Sequence, residues 1–108
     1  MRRASLLLVL LLGLAGCTGT APPPPRADIV LAHYAFAPGN FTAHVGQEVA
    51  WRNDDATFHT VTSDGAGPLA SPSVGPQEVF RHTFTAAGTY PYHCTPHPFM
   101  VGNVTVVA

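Results

Sequence analysis

After its first 27 residues, the chain places its apolar side chains in short alternating runs, and this pattern limits the fold more than any other feature. In residues 48–53, Val49 and Trp51 fall on one face of an extended segment, and residues 78–84 alternate in the same way. Glycine, proline, asparagine and aspartate separate the runs, as they do in turns. No apolar repeat of 3.6 residues persists over ten positions in this part of the chain. The pattern therefore predicts an all-β domain.

We expect seven to eight short strands that pack as a two-sheet β-sandwich, with the domain covering residues 28–108. Residues 58–63 are predicted to form one strand, with His59 and Val61 on the face opposite Phe58. Residues 64–76 are rich in glycine, proline and serine and are predicted to form a long loop. The other predicted strands are residues 29–31, 41–45, 48–53, 78–84, 89–94 and 101–107.

The first 16 residues have the features of a secretory signal peptide. Two arginines follow Met1, and residues 6–12 are apolar but too few to cross a bilayer, which takes about 20 residues. The sequence Leu14-Ala15-Gly16-Cys17 then resembles the lipobox, where bacterial lipoproteins are cleaved and lipidated. An ordinary cleavage site before a cysteine is the alternative. We predict a signal peptide over residues 1–16, a lipid on Cys17, and an exported protein anchored to a bacterial membrane, facing the periplasm or the cell exterior.

Residues 17–27 are predicted to be a lipid-anchored spacer. Four consecutive prolines, residues 22–25, favour an extended polyproline II conformation.

If Cys17 carries lipid, Cys94 has no disulfide partner, and an unpaired cysteine in an exported domain needs another role. Residues 17–108 contain three arginines, no lysine and six carboxylates, a formal charge of −3 that argues against nucleic-acid binding. We expect a monomer.

The segment Cys94-Thr95-Pro96-His97-Pro98-Phe99-Met100 carries the strongest chemical signal. Strand alternation directs Cys94 into the core at the end of a strand, and His97 and Met100 follow from one tight loop. His59 is the candidate for a second imidazole. A thiolate, two imidazoles and a weak thioether are the ligands of blue-copper electron-transfer sites, in which both copper oxidation states are tolerated.

A structural zinc site is the main alternative, because cysteine and histidine also bind zinc. Met100 argues against zinc, since structural zinc sites take four nitrogen, thiolate or carboxylate ligands and this set offers three. The four remaining histidines are expected to lie away from the metal. His33, His44 and His93 are predicted to face solvent, whereas His82 shares a face with two phenylalanines and is a candidate for the core.

The Cys94-x2-His97-x2-Met100 spacing resembles the short ligand loop of amicyanins, within the plastocyanin-like cupredoxins. This resemblance implies a Greek-key β-sandwich that holds one type 1 copper ion, cycling between Cu(II) and Cu(I). It also implies that His59 is the upstream ligand, so that the set is His59, Cys94, His97 and Met100. Other similar segments are Phe36-x-Pro38, Val45-Gly46, Val49-x-Trp51-x-Asn53 and Gly88-Thr89-Tyr90-x-Tyr92-x-Cys94.

Two further expectations follow from the resemblance. Amicyanin-like proteins usually carry asparagine after the first histidine ligand, where its side chain braces the loop beyond the cysteine. Here the residue is Thr60. Either its hydroxyl reaches Thr95 instead, or the brace is weaker than in the family. In the family the downstream histidine reaches the surface through an apolar patch. We therefore predict that His97, Pro96, Pro98 and Phe99 form the electron port and the docking face for a redox donor and acceptor in short-lived complexes.

The sequence thus predicts a one-electron carrier outside the cytoplasm that is not an enzyme. A copper delivery or storage lipoprotein with the same ligands is the alternative. Copper-handling chains more often contain methionine-rich or histidine-rich tracts, and Met100 is the only methionine after Met1. A copper oxidase or nitrite reductase would need further copper sites and usually tandem domains. The chain has no His-x-His pair and room for one domain.

Overall fold

The computed structural model describes residue 19 and residues 21–108. The predicted signal peptide, residues 1–16, and the predicted lipid attachment at Cys17 lie outside the described residues. In the part that is described, no helix is long and apolar enough to cross a membrane. The strands are β1 (Ile29–Ala32), β2 (Ala35–Ala37), β3 (Asn40–His44), β4 (Glu48–Asn53), β5 (Thr62–Ser63), β6 (Val79–Thr83), β7 (Gly88–His93) and β8 (Val101–Val107).

The eight strands form two four-stranded sheets, so the all-β fold predicted from the alternating pattern is confirmed. One sheet has the order β2-β1-β4-β6 and the other has the order β3-β8-β7-β5. Strand β1 pairs parallel to β4, and β3 pairs parallel to β8, while the remaining neighbours are antiparallel. Because parallel partners need a crossover between them, the chain passes repeatedly from one sheet to the other.

Aromatic side chains fill the space between the sheets. Trp51 from β4 and Tyr92 from β7 are fully buried, with their ring centroids 5.8 Å apart and their planes at 88°. Phe36 packs edge-on against Tyr92 at 4.7 Å. Burying one large apolar side chain contributes about 1.5–3 kcal/mol, so this cluster is a main source of stability. The inward positions of β4 and β7 match those expected from the alternation.

The predicted strand over residues 58–63 is wrong in its extent. Only Thr62–Ser63 pairs with β7, and His59 makes a single antiparallel bridge with Val74. The intervening N–H groups are satisfied by side chains instead of a neighbouring strand, since Val61 donates to Ser71 Oγ at 2.7 Å. The predicted faces are nevertheless confirmed, because His59 and Val61 are buried while Phe58 is exposed.

Strand β2 was not predicted, because three residues with one buried side chain give too little alternation to detect. His33 is exposed as expected, but it lies in the turn between β1 and β2 and not in a strand. Both residues of this turn, His33 and Tyr34, have positive φ angles of 53° and 58°.

The proline-rich spacer joins the domain at the start of β1. The N–H of Asp28 donates to the Ala50 carbonyl at 2.9 Å, and Arg52 Nη1 donates to the Pro25 carbonyl at 2.7 Å. Strand β1 leads from this attachment to the His33–Tyr34 turn. The spacer and that turn therefore lie at opposite ends of β1.

Candidate metal centre

Two loops at one end of the sandwich bring three metal-binding side chains together. Cys94 follows the last residue of β7, His97 lies in the connection from β7 to β8, and His59 lies in the connection from β4 to β5. The Cys94 Sγ atom is 3.6 Å from His59 Nδ1 and 3.5 Å from His97 Nδ1, and the two Nδ1 atoms are 3.1 Å apart. Cys94 and His59 are fully buried, and His97 is half-buried.

The size of this triangle fits a first-row metal ion. A point equidistant from the three donor atoms lies about 2.0 Å from each, against roughly 2.0–2.3 Å for nitrogen and sulfur bound to Zn²⁺, an ion of similar size. The three side chains therefore surround a position that a metal can occupy without large movement. One free, buried thiol among two imidazole nitrogens also suits copper chemically.

Met100 lies beside this triangle in the core. It is 1 % exposed and belongs to the same buried apolar cluster as Cys94. Its carbonyl accepts the Cys94 N–H at 3.0 Å, and its own N–H donates to the His97 carbonyl at 2.8 Å. Because His97 N–H in turn donates to the Cys94 carbonyl at 3.2 Å, the loop is closed by its own backbone.

The Thr60 hydroxyl braces the ligand loop, which is one of the two alternatives that the sequence left open. Thr60 Oγ1 accepts the Thr95 N–H at 2.8 Å and lies 2.9 Å from Thr62 Oγ1. The Thr60 N–H points at Cys94 Sγ over 3.4 Å. A single threonine thus ties the His59 segment to the loop and places a backbone dipole against the sulfur.

Asp55 is a site residue that the sequence analysis missed. Its Oδ2 lies 2.8 Å from His59 Nε2, and its carboxylate also accepts the N–H groups of His33 at 2.7 Å and Tyr34 at 3.0 Å. Burial raises the pKa of Asp55, but the hydrogen bonds from Tyr34, His59 and His33 outweigh it, so the pKa falls below its usual value. The signal available in the sequence was a carboxylate four residues before a ligand histidine.

Tyr34 is the second residue that the sequence did not reveal. Its ring meets the His97 ring edge-on at 5.0 Å and the His59 ring at 5.5 Å. Nothing in the local sequence indicates this contact, because Tyr34 lies in a turn far along the chain from both histidines.

The four other histidines lie outside the triangle. His44 is exposed on β3, as predicted. His82 was a candidate for the core, but it is half-buried and meets the Phe84 ring edge-on at 4.7 Å. His93 was expected to be exposed, but it is half-buried because its Nδ1 is hydrogen-bonded to the Asp64 carboxylate. The partner of His93 lies on a different loop, whereas the phenylalanine beside His82 lies two residues further along the same segment.

The outer surface of the ligand loop is apolar. Pro96 and Pro98 are exposed, and Phe99 is 70 % exposed with its ring centroid 6.1 Å from that of His97. The two prolines flank His97 in the sequence, and the Phe99 ring lies beside its half-buried imidazole. Their use as a docking face stays a prediction.

Two β-sheets that present a buried thiolate and two imidazoles at one end define the class of blue-copper proteins with a single sandwich domain. A family model described as copper binding proteins of the plastocyanin/azurin family matches residues 27–107. The chain belongs to this family, and the resemblance to amicyanin- and plastocyanin-like cupredoxins is confirmed. It is a copper protein with one type 1 site.

The relatives that resemble the chain are small cupredoxins. Amicyanin of Paracoccus denitrificans is 46 % identical over 66 residues, which are 57 % of this chain but only half of that protein's length. Amicyanin-alpha of Methylorubrum extorquens is 33 % identical over 88 residues, covering 78 % of this chain and 74 % of its own. A solved structure of a reduced amicyanin mutant superposes with a TM-score of 0.71 and 32 % identity, covering 82 % of this chain and 87 % of that one.

Proposed function

We propose that this protein is a one-electron carrier whose copper ligands are His59, Cys94, His97 and Met100. The observation that carries the proposal is the triangle of Cys94 Sγ and two Nδ1 atoms, with edges of 3.1 to 3.6 Å. When bound, copper supplies a Cu(II)/Cu(I) couple that exchanges single electrons. The soft sulfur atoms of Cys94 and Met100 suit the reduced state, while imidazole suits both.

The surrounding hydrogen bonds hold the ligands so that little has to move between oxidation states. The backbone bonds among Cys94, His97 and Met100 fix the loop, and the Thr60 hydroxyl ties it to the His59 segment. The His59 ring is fixed because its Nε2 faces Asp55, which leaves Nδ1 free to bind the metal. A site held in this way has a small reorganisation cost, as fast electron transfer requires.

The apolar surface around His97 is the proposed electron port. Phe99, Pro96 and Pro98 are exposed, and they lie on the same short loop as His97, the ligand imidazole that is not fully buried. The flat apolar contact they offer suits small interfaces, which are typical of short-lived redox complexes. Donor and acceptor proteins are therefore proposed to dock at this end, one after the other.

The cellular setting is also a proposal, based on the sequence of residues 1–27. A signal peptide over residues 1–16 and a lipid on Cys17 would place the domain outside the cytoplasm on a bacterial membrane. The spacer of residues 17–27 would separate the domain from the lipid surface. We propose that the protein works there as a monomer and catalyses no reaction of its own.

The visible absorption spectrum of the copper-loaded protein tests the proposed function. The wild type is expected to bind one Cu(II) and to show an intense charge-transfer band in the orange-red region. The Cys94→Ser variant should lose this band, because the transition belongs to the copper–thiolate bond. His59→Gln should weaken it, whereas the matched variant His44→Gln, altered on the exposed side of β3, should keep it.

A colourless wild type that takes zinc in preference to copper would exclude an electron carrier. The copper delivery alternative makes a different prediction, namely rapid release of copper to an apo-acceptor and slow electron self-exchange. Measuring both rates on the same preparation separates the two functions.

A further inference from the structure

The two-residue turn between β1 and β2 places bulky residues where asparagine or glycine is usual. His33 and Tyr34 both adopt left-handed backbone conformations, with φ angles of 53° and 58°. Residues with bulky side chains seldom adopt this conformation, because Cβ approaches the carbonyl oxygen. Such strain persists only where surrounding contacts fix it, and it is concentrated at functional sites.

Asp55 supplies those contacts. Its Oδ1 accepts the His33 N–H, and its Oδ2 accepts the Tyr34 N–H. The same Oδ2 faces His59 Nε2 at 2.8 Å, and the Asp55 side chain is only 14 % exposed. One carboxylate therefore joins a strained turn of the first strand pair to a ligand imidazole.

The strained turn puts the Tyr34 ring against both imidazoles. The ring planes of Tyr34 and His97 meet at 88°, and those of Tyr34 and His59 meet at 87°. Tyr34 itself is 46 % exposed, so one part of the side chain contacts the histidines while the rest meets solvent. The tyrosine thus lies between solvent and the two imidazoles.

We propose that Asp55 is a positioning residue of the copper site, which orients the His59 ring directly and, through the β1–β2 turn, holds the Tyr34 ring as a shield over both imidazoles. The proposal rests on the proposed ligand set. The carboxylate makes the imidazole a stronger donor, which favours the more highly charged Cu(II). The shield keeps water away, which favours Cu(I). The two residues therefore move the reduction potential in opposite directions.

The first experiment replaces Asp55 with asparagine in the full chain. Asparagine keeps the size but offers a single acceptor oxygen and no charge. We expect Asp55→Asn to bind Cu(II) about 10–100-fold more weakly, and Cu(I) to be affected less. A tenfold difference between the two affinities raises a one-electron potential by about 59 mV. Asp28→Asn is the matched control, because Asp28 also accepts a backbone N–H, from Ala50, but at the spacer end of the domain.

The second experiment needs no copper. In the metal-free protein, the amide hydrogens of His33 and Tyr34 should exchange at least tenfold faster in Asp55→Asn than in the wild type. Their exchange rates should be unchanged in Asp28→Asn. This measurement separates a failure of the positioning role from a failure of the ligand set. If the wild type lacks a blue copper site, the proposed function fails. If the wild type has that site, the results for the variants test only the positioning role of Asp55.

The third experiment tests the shield without changing Asp55. Tyr34→Ala should lower the reduction potential by the equivalent of about a tenfold change in the Cu(II)/Cu(I) affinity ratio, because water then reaches the imidazoles. Tyr34→Phe keeps the aromatic ring and should therefore have the same reduction potential as the wild type. An unchanged potential when Asp55→Asn is added to Tyr34→Ala, where no shield is left to lose, would overturn the proposal. Unchanged exchange at His33 and Tyr34 in Asp55→Asn, or equal potentials for Tyr34→Ala and Tyr34→Phe, would overturn it as well.

Discussion

Asn53 links the end of β4 to the loop that carries His59, so its replacement should weaken both the fold and the metal site. The side chain is fully buried. Its Nδ2 donates to the Thr57 carbonyl at 2.7 Å and to the Val74 carbonyl at 2.9 Å, and its Oδ1 accepts the Asp55 N–H at 2.9 Å. These bonds close the turn between β4 and the ligand.

The loss of stability expected in Asn53→Ala follows from the backbone groups that lose a hydrogen-bond partner. The Val74 carbonyl keeps the His59 N–H at 3.1 Å, whereas the Thr57 carbonyl and the Asp55 N–H lose the bond that the Asn53 side chain supplied. A buried polar group left unpaired costs about 1–3 kcal/mol. Because both groups are partly reached by water, we expect the free energy of unfolding to fall by about 2–4 kcal/mol.

Urea denaturation of the metal-free protein, followed by the fluorescence of Trp51, measures this loss. In the copper-loaded protein the loss should be larger, because every tenfold weakening of copper binding removes about 1.4 kcal/mol more at saturating copper. Asn103→Ala is the matched control, since the Asn103 side chain makes one hydrogen bond, to Thr105 Oγ1 at 3.1 Å. It should cost less than about 1 kcal/mol.

A loss below about 1 kcal/mol in metal-free Asn53→Ala would refute the reasoning, because it would mean that the buried amide bonds are replaced at little cost. An equal loss in the loaded and metal-free forms would refute the link between Asn53 and the ligand loop.

Three further predictions concern the core and the surface. Gly102→Ala should lower the free energy of unfolding by about 1–3 kcal/mol, because its Cβ would lie 2.5 Å from the Tyr92 hydroxyl; an unchanged urea midpoint would contradict this. Phe99→Glu should slow electron exchange with a redox partner about tenfold in stopped-flow measurements while the absorption spectrum stays the same, and an unaltered rate would exclude Phe99 from the docking face. Burial raises the pKa of Tyr92 from 10.0 to about 12, so stability present below pH 10 should decline as the pH rises toward 12. Tyr92→Phe should flatten this part of the stability profile, and equal slopes in both proteins would argue against it.

The sequence predicted those features whose information lies within one stretch of chain. The ligand loop from Cys94 to Met100 is contiguous, and the alternation in β4 and β7 directs Trp51 and Tyr92 inward without help from distant residues. The resemblance left open whether Thr60 braces the loop, and the structure shows that its hydroxyl accepts the Thr95 N–H.

The features that escaped prediction depend on contacts between distant segments. Tyr34 reaches the site because β1 lies beside β4 in the sheet, and no local pattern encodes that pairing. The strand predicted over residues 58–63 ends early because Ser71 satisfies the Val61 N–H in place of a strand. Alternation fixes which face a residue occupies, but it does not fix which group pairs with its backbone.

The direction of β1 indicates which end of the domain would face away from a membrane if the chain were anchored at Cys17. The strand leads away from Pro25 and Asp28, and about 20 Å later the chain reaches Tyr34 above the ligand histidines. The eleven-residue spacer, residues 17–27, would add roughly 30–35 Å in an extended polyproline II conformation. On a chain lipidated at Cys17, the redox face would therefore point outward, about 50 Å above the lipid at full reach. With the spacer extended, proteins in the aqueous compartment would meet this face directly, whereas a carrier at the bilayer surface would reach it only when the spacer folds back.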